Sequence, residues 1–287
     1  MTITAKTAAP KHPRARRLSI SLSTLIGLVL LLVLIVMAIA APLLAPHDPE
    51  SIDAARVLAP PSLQHPFGSD VLGRDVLSRV IFGLRASLLV VSGAIGLAVA
   101  ASLPLGLLAG YAGGAVDSVI SRVLDMVLIL PAMLLAVSFI AILGPGGTVA
   151  ALAIAVVYLP ILARVMRGST RVVAGTDYVL AARARGASHW RIVIGHVMPN
   201  AIGPLVVQAS ILGAFALQLE AALSFLGLGT QPPTPSLGGM LADGRDVLVQ
   251  APWVEFFPGA VIAIAVLSLI LIGDGLKRSL DPQGVAE

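Results

Sequence analysis

Residues 177–200 read DYVLAARARGASHWRIVIGHVMPN. The chain around them is 57% hydrophobic and only 12% charged, yet here Arg183, Arg185, Arg191, His189 and His196 stand among alanines. Thr176 or Asp177 suits a helix N-cap. Tyr178 to Arg185 is rich in helix formers, and Gly186 suits the left-handed residue that follows a helix end. Ser188 can cap a second helix, on which Trp190, Val193, Ile194 and Val197 fall at i, i+3, i+4 and i+7 as one apolar face. Pro199 is expected to stop that helix. The stretch therefore predicts two short helices meeting at an angle. On the first, Tyr178, Ala181, Ala182 and Arg185 share a face, a knob of small side chains beside one aromatic and one cation that another surface can approach closely.

The flanking sequence explains where such a loop can lie. The chain has 287 residues and a mean hydropathy of +0.96, more apolar surface than one soluble core can hide. A helix crossing a bilayer needs about 20 apolar residues. Six stretches qualify: 22–45, 87–108, 123–143, 148–166, 201–223 and 256–272. Pro104, Pro131, Pro160, Pro204 and Pro258 fall in or at the start of five of them. Proline is tolerated in membrane helices where neighbours satisfy the freed carbonyl, so the five together predict a kinked, packed bundle. The fold class is an all-α integral membrane protein with six transmembrane helices.

The first span follows Lys6, Lys11, Arg14, Arg16 and Arg17, and Ala38-Ile39-Ala40 resembles a signal cleavage site. Its apolar run exceeds the roughly 7–15 residues of a signal core, so it is expected to remain as an anchor. With the N-terminus inside, 14 of the 19 lysines and arginines fall on inner segments. That bias predicts both termini in the cytoplasm. The 177–200 stretch then lies in the longest cytoplasmic loop, where its arginines meet water. The outer segments are 46–85 and 229–255. Within the first, Leu72, Val76, Val80, Ile81 and Leu84 lie loosely on one side, so 70–84 is expected to run along the membrane boundary.

The run AARARGASHWRIVIGHVMPN resembles the EAA motif of bacterial ABC importer permeases: Glu-Ala-Ala, three residues, Gly, nine residues, then an aliphatic residue, one residue, Leu and Pro. Ala181, Ala182, Gly186 and Pro199 match at that spacing. Leu180 stands in place of the Glu, His196 of an aliphatic residue and Met198 of the Leu. FGSDVLGRDVLSR (67–79), LEAALSFLGLG (219–229), APW with FFPG (251–259) and GDGLKRSLDP (273–282) are similar to the peptide and nickel branch of that family, the DppC/OppC type. The resemblance implies a type I importer permease core over 86–275. Before it come a cytoplasmic tail (1–21) and an extra first helix with its outer segment (22–85); a cytoplasmic tail (276–287) follows. It implies a multi-pass protein of the bacterial inner membrane that forms half of a pathway for di- and oligopeptides. Its partners would be a homologous second permease, two ATPase subunits that carry ATP and Mg, an extracytoplasmic binding protein and membrane lipid, with no nucleic acid. Tyr178, Leu180, Ala181, Ala182, Arg185, Gly186 and Pro199 would form the loop that docks on an ATPase.

Other chemistries find little support. No GxxxxGK[ST] phosphate loop is present, so ATP hydrolysis and its cofactors are expected in partner subunits rather than here. Cysteine is absent, which removes thiolate sites. All five histidines fall outside the spans, which disfavours a membrane-embedded hydrolase or a histidine proton relay. His47, Asp48, Asp53, His65 and Asp70 share an outer, proline-rich segment. Histidines there are more often merely solvated, so no metal site is assigned. Asp125 is expected to pair with Arg122 one turn earlier. Glu220, near the outer end of its span, could line an outer gate or close a packing network. Ser92, Gly96 and Ala100, and likewise Gly106, Gly110 and Gly114, recur at four-residue spacing, which predicts close packing within the bundle. The competing function is a secondary transporter or channel, which would place polar residues at the midplane and repeat itself internally; neither feature is evident.

Overall fold

The computed structural model describes residues 21–280, and apart from one isolated bridge between Ser69 and Asp75 its regular structure is helical. The basic tail from Lys6 to Arg17 and the last seven residues lie outside the described residues. Five helices are long and apolar enough to cross a membrane, or six if one bent pair of helices is counted as a single span. A helix is the expected solution, because lipid offers no hydrogen bonds to a bare backbone.

Helix α1 (Leu22–Ile39) starts where Ser21 Oγ accepts the Thr24 N–H. Leu25, Val29, Leu32 and Val36 form an exposed stripe along it, a face that suits lipid tails. Its other side meets α11 (Trp253–Leu280) closely. A side chain at Gly27 would come within 2.7 Å of Leu271 Cβ. A single turn, α2 (Ala41–Leu44), follows.

Helix α3 (Val76–Ala112) has 37 residues, about 55 Å at 1.5 Å per residue, far longer than the predicted span 87–108. Its first turns absorb the stretch expected to lie along the membrane boundary. Val76, Val80, Ile81 and Leu84 are buried against the bundle, and only Leu72, before the helix, stays exposed. Asp75 caps it by accepting the Ser78 N–H. Helix α3 lies against α6 (Gly147–Ala174), and glycine sets the distance. A Cβ at Gly106 would sit 2.5 Å from Met166 Cβ, and one at Gly110 2.6 Å from Thr170 Cβ. Ser92, Gly96 and Ala100 differ from expectation: they are exposed, and nothing approaches Gly96 within 4 Å. Only the first two glycines of the second small-residue run pack within this chain; Gly114 has open space.

The third span is not a single kinked helix. It divides into α4 (Gly114–Leu128) and α5 (Ala132–Leu143), bent by 89°. Pro131 occupies the N-cap of α5. A proline disfavours helical geometry in the residue before it, so the chain turns at Leu130 instead of running through.

Helix α9 (Met198–Phe225) recrosses the bundle, and α10 (Leu237–Arg245) then packs on its far end. Gly238 lies so close to Ala221 and Ser224 that a Cβ would meet the Ala221 carbonyl oxygen at 2.2 Å. Residues 46–75 and 226–252 gather at the same end as the start of α3. The Trp253 indole N–H donates to the Ser69 carbonyl at 3.1 Å, and the Phe67 and Phe257 rings stack. Asp70 accepts from Arg74 at 2.7 Å and lies 3.3 Å from Arg79; Arg74 and Arg79 also approach Asp243 of α10. Burial holds the Asp243 carboxyl above its usual range, with Arg79 and Arg74 pulling it down.

Candidate functional site

The loop between α6 and α9 stands at the opposite end of the bundle. Its first helix, α7 (Asp177–Ala184), begins after Thr176, which has N-cap geometry but makes no side-chain cap bond. Its hydroxyl donates instead to the Val173 carbonyl at 2.6 Å. The helix ends as the sequence predicts. Gly186 has φ +80°, the Gly186 N–H donates to the Arg183 carbonyl at 3.0 Å, and the Ala187 N–H to the Ala182 carbonyl at 3.2 Å. Those two bonds are the Schellman pair, which needs a left-handed residue at that point. Ser188 then caps α8 (His189–Ile192) by accepting the Arg191 N–H at 3.4 Å.

Two expectations about the second helix fail for one reason. Residues Val193–Val197 form a π turn, in which the Met198 N–H reaches the Val193 carbonyl. The helix therefore runs on into α9, and Pro199 sits in its first turn rather than ending α8. A proline clashes with the carbonyl four residues back, and the chain meets it with a single-turn π bulge, the usual form of this rare helix. The extra residue also shifts the phase of the apolar face. Ile192 and Val197, five apart, are the fully buried pair, and Trp190 is 76% exposed.

The first helix differs from expectation at one position. Val179 and Ala182 turn inward and are buried, whereas Tyr178, Leu180, Ala181, Arg185 and Gly186 are exposed. Ala182 is small because it seats α7 on its own bundle, so it is not offered to a partner. Val179 and Ala182 both belong to the main apolar core.

Side chains from three helices hold the elbow in place. The Tyr111 hydroxyl, from the last turns of α3, meets His189 Nδ1 at 2.9 Å, and Arg183 lies over the Tyr111 ring with its guanidinium carbon 5.5 Å from the centroid. Nearby, α6 presents Arg164, Arg167 and Arg171 towards α4. Asp117 accepts from Arg167 Nη2 at 2.8 Å, and Arg167 Nε and Arg171 also contact it. Asp125 pairs with Arg164 at 2.8 Å, which corrects the expected local pair with Arg122. The Asp117 network was missed in the sequence, although the i, i+3, i+7 arginines of α6 required anionic neighbours.

The surroundings of Glu220 are those of a packed group. It is buried in α9 and accepts the Ser224 hydroxyl at 2.8 Å through Oε1. Ser87 of α3 adjoins the same carboxyl. Among the described residues, Oε2 and the Ser87 hydroxyl are buried without a hydrogen-bond partner. Glu220 is thus held inside the bundle by a bond within α9 itself.

Residues 102–283 match the model of a family described as binding-protein-dependent transport system inner membrane component, and residues 15–61 match the N-terminal TM domain of oligopeptide transport permease C. The chain is 40% identical to a dipeptide transport system permease protein DppC of Alkalihalophilus pseudofirmus, over 90% of this chain and 85% of that one. It is 40% identical to the glutathione transport system permease protein GsiD of Pectobacterium atrosepticum, over 88% and 84%. The fold is similar to that of a chain in a solved structure described as inward facing conformations of the MetNI methionine ABC transporter, with a TM-score of 0.58 and 21% identity over 72% of this chain and 97% of that one.

Proposed function

The chain belongs to the binding-protein-dependent transport system inner membrane component family, and from that premise we propose that it forms half of the pathway of an ATP-driven importer of di- and oligopeptides. The other half is a homologous second permease. Two ATPase subunits, holding ATP and Mg, sit below the α7 end, and an extracytoplasmic binding protein delivers substrate to the end formed by 46–75 and 226–252. Both termini then lie in the cytoplasm of a bacterium, with the bundle in its inner membrane.

The observation that carries the coupling role is the division of α7 into two faces. Val179 and Ala182 fix it to the bundle, and Tyr178, Leu180, Ala181 and Arg185 remain free to meet another surface. The Tyr111–His189 contact and the unbroken passage into α9 give a push on α7 a path into α3 and α9. A loop needed only for topology requires neither the left-handed turn nor that anchorage. Leu180 removes the polar contact that the usual Glu would make and leaves an apolar one.

The peptide substrate class is supported by relatives named for dipeptide and glutathione transport. Reconstituting the chain with its second permease, ATPase subunits and binding protein tests the proposal. Uptake of a labelled dipeptide that requires ATP and every partner is expected. Dipeptide flux by this chain without ATP would favour a secondary transporter instead.

A further inference from the structure

At the end opposite α7, two histidines converge on one carboxylate. His65 Nδ1 is 2.8 Å from Asp75 Oδ1, and His47 Nδ1 is 3.8 Å from the same oxygen. The imidazole rings stack with centroids 4.4 Å apart, and the three donor atoms all lie within 4.8 Å of one another. The sequence grouped His47 and His65 with Asp48, Asp53 and Asp70, but the carboxylate that meets them is Asp75, from the cap of α3.

We propose that His47, His65 and Asp75 form a binding site for a borderline-soft divalent cation of the Zn2+ class. The donor spacing fits. Ligands about 2.1 Å from a tetrahedral zinc lie about 3.4 Å apart, and the two distances to Asp75 Oδ1 fall on either side of that. The donor set fits as well, since imidazole and carboxylate together suit zinc or nickel better than the all-oxygen preference of calcium and magnesium. The shell behind the donors is already built. Asp75 Oδ2 accepts the Ser78 N–H at 2.8 Å and the Ser78 hydroxyl at 2.6 Å, which leaves Oδ1 to face the histidines. Ser78 Oγ also accepts the His47 backbone N–H at 3.1 Å, and so places the one ligand that comes from the chain after α1. Asp75 is buried and the His47 side chain is 39% exposed, which leaves an entry side and room for a water as fourth ligand. The His47 ring makes no hydrogen bond among the described residues, so its position over His65 is not explained by a fold contact other than stacking.

Arg56 provides the discriminating feature. Its guanidinium contacts His65 Nε2, which keeps the proton on Nδ1, where it bonds Asp75. A cation at Nδ1 moves that proton to Nε2, where it faces the donors of Arg56. Arg56 is half-exposed and also pairs with Asp53 at 3.2 Å, so it can swing away, but its charge and its donors oppose the cation. A glutamine there offers an acceptor to Nε2–H in place of a repelling charge.

The test is competition for Zn2+ between a chromophoric chelator and the purified full chain, carried without a histidine tag. One tightly held zinc per chain is expected, with Mg2+ unable to displace it. His47→Ala should weaken it by at least about tenfold, and Arg56→Gln should tighten it by about tenfold, within the range that neighbours of metal ligands exert. His47→Ala leaves the backbone bond to Ser78 intact, so folding is not in question. No stoichiometric zinc on the wild-type chain, or equal binding by His47→Ala, would overturn the site. Unchanged or weaker binding by Arg56→Gln would also overturn it, and would leave the cluster as a hydrogen-bonded tie between 56, 65 and 75.

Discussion

Replacing Gly186 should uncouple transport in a graded order set by backbone conformation alone. The residue holds φ +80°, and a Cβ built there meets nothing within 4 Å. Crowding therefore contributes nothing, and the whole effect is the left-handed strain, about 1–2 kcal/mol for an ordinary residue. That corresponds to a factor of about 5–30 in the population of the elbow. If the turn is lost, so are the bonds from Gly186 to Arg183 and from Ala187 to Ala182 that end α7. Asparagine tolerates this conformation better than alanine, and a β-branched residue tolerates it worst. The expected order of uptake is Gly, Asn, Ala, then Val. The assay is ATP-driven uptake of a labelled dipeptide by proteoliposomes holding the whole complex, with amide hydrogen exchange at 186 and 187 as the local readout. Membrane insertion should be unchanged throughout, since the strain acts at one turn beyond the spans. Full uptake by Gly186→Val with unchanged exchange would refute the reasoning.

Further outcomes follow from packing and charge. Ala182→Trp should lower folded abundance, because Ala182 is buried, whereas Ala181→Trp should insert normally and lose its ATPase partner in a pull-down. Gly106→Leu should lower the Tm of the purified chain, overpacking by about 1–3 kcal/mol or more against Met166 and the Ala163 carbonyl; Gly96→Leu, with open space around it, should be silent in the same melt. Asp117→Asn should lower the Tm further than Asp125→Asn, because Asp117 is the buried partner of two arginines and the Arg164–Asp125 pair is more than half exposed. Leu180→Glu should support normal uptake.

Features fixed by local chemistry were legible in the sequence. Gly186 was readable because a helix end followed by glycine has one favoured conformation, and the structure has it. The spans were readable because apolar length is a local property. What failed depended on partners distant in the chain. Which face of an eight-residue helix turns inward is decided by the bundle beneath, so Ala182 was misjudged. Asp125 found Arg164, 39 residues on, in preference to a neighbour one turn away. The π turn inverted the roles of Trp190 and Ile192, and no residue in VIGHV marks it; the only signal is Pro199, two residues further on. Pro131 was recognised as a disturbance, but composition does not separate a kink from an 89° bend. The His47–His65–Asp75 cluster required the fold of the outer segment onto the cap of α3, which no spacing in the sequence encodes.

The central claim, that α7 carries the contact with an ATPase, is tested most directly by site-specific crosslinking. The chain has no native cysteine, so one introduced thiol is its only one. Single cysteines at Leu180, Ala181, Ala182 and Val249 are placed in the assembled complex and treated with a short bifunctional thiol reagent, against ATPase subunits carrying one engineered surface thiol each. Leu180→Cys and Ala181→Cys should give an adduct of permease and ATPase whose yield changes when ATP is added. Ala182→Cys, buried, and Val249→Cys, 97% exposed at the opposite end, should give none. An ATPase adduct from position 249, or none from 180 and 181, would contradict the account.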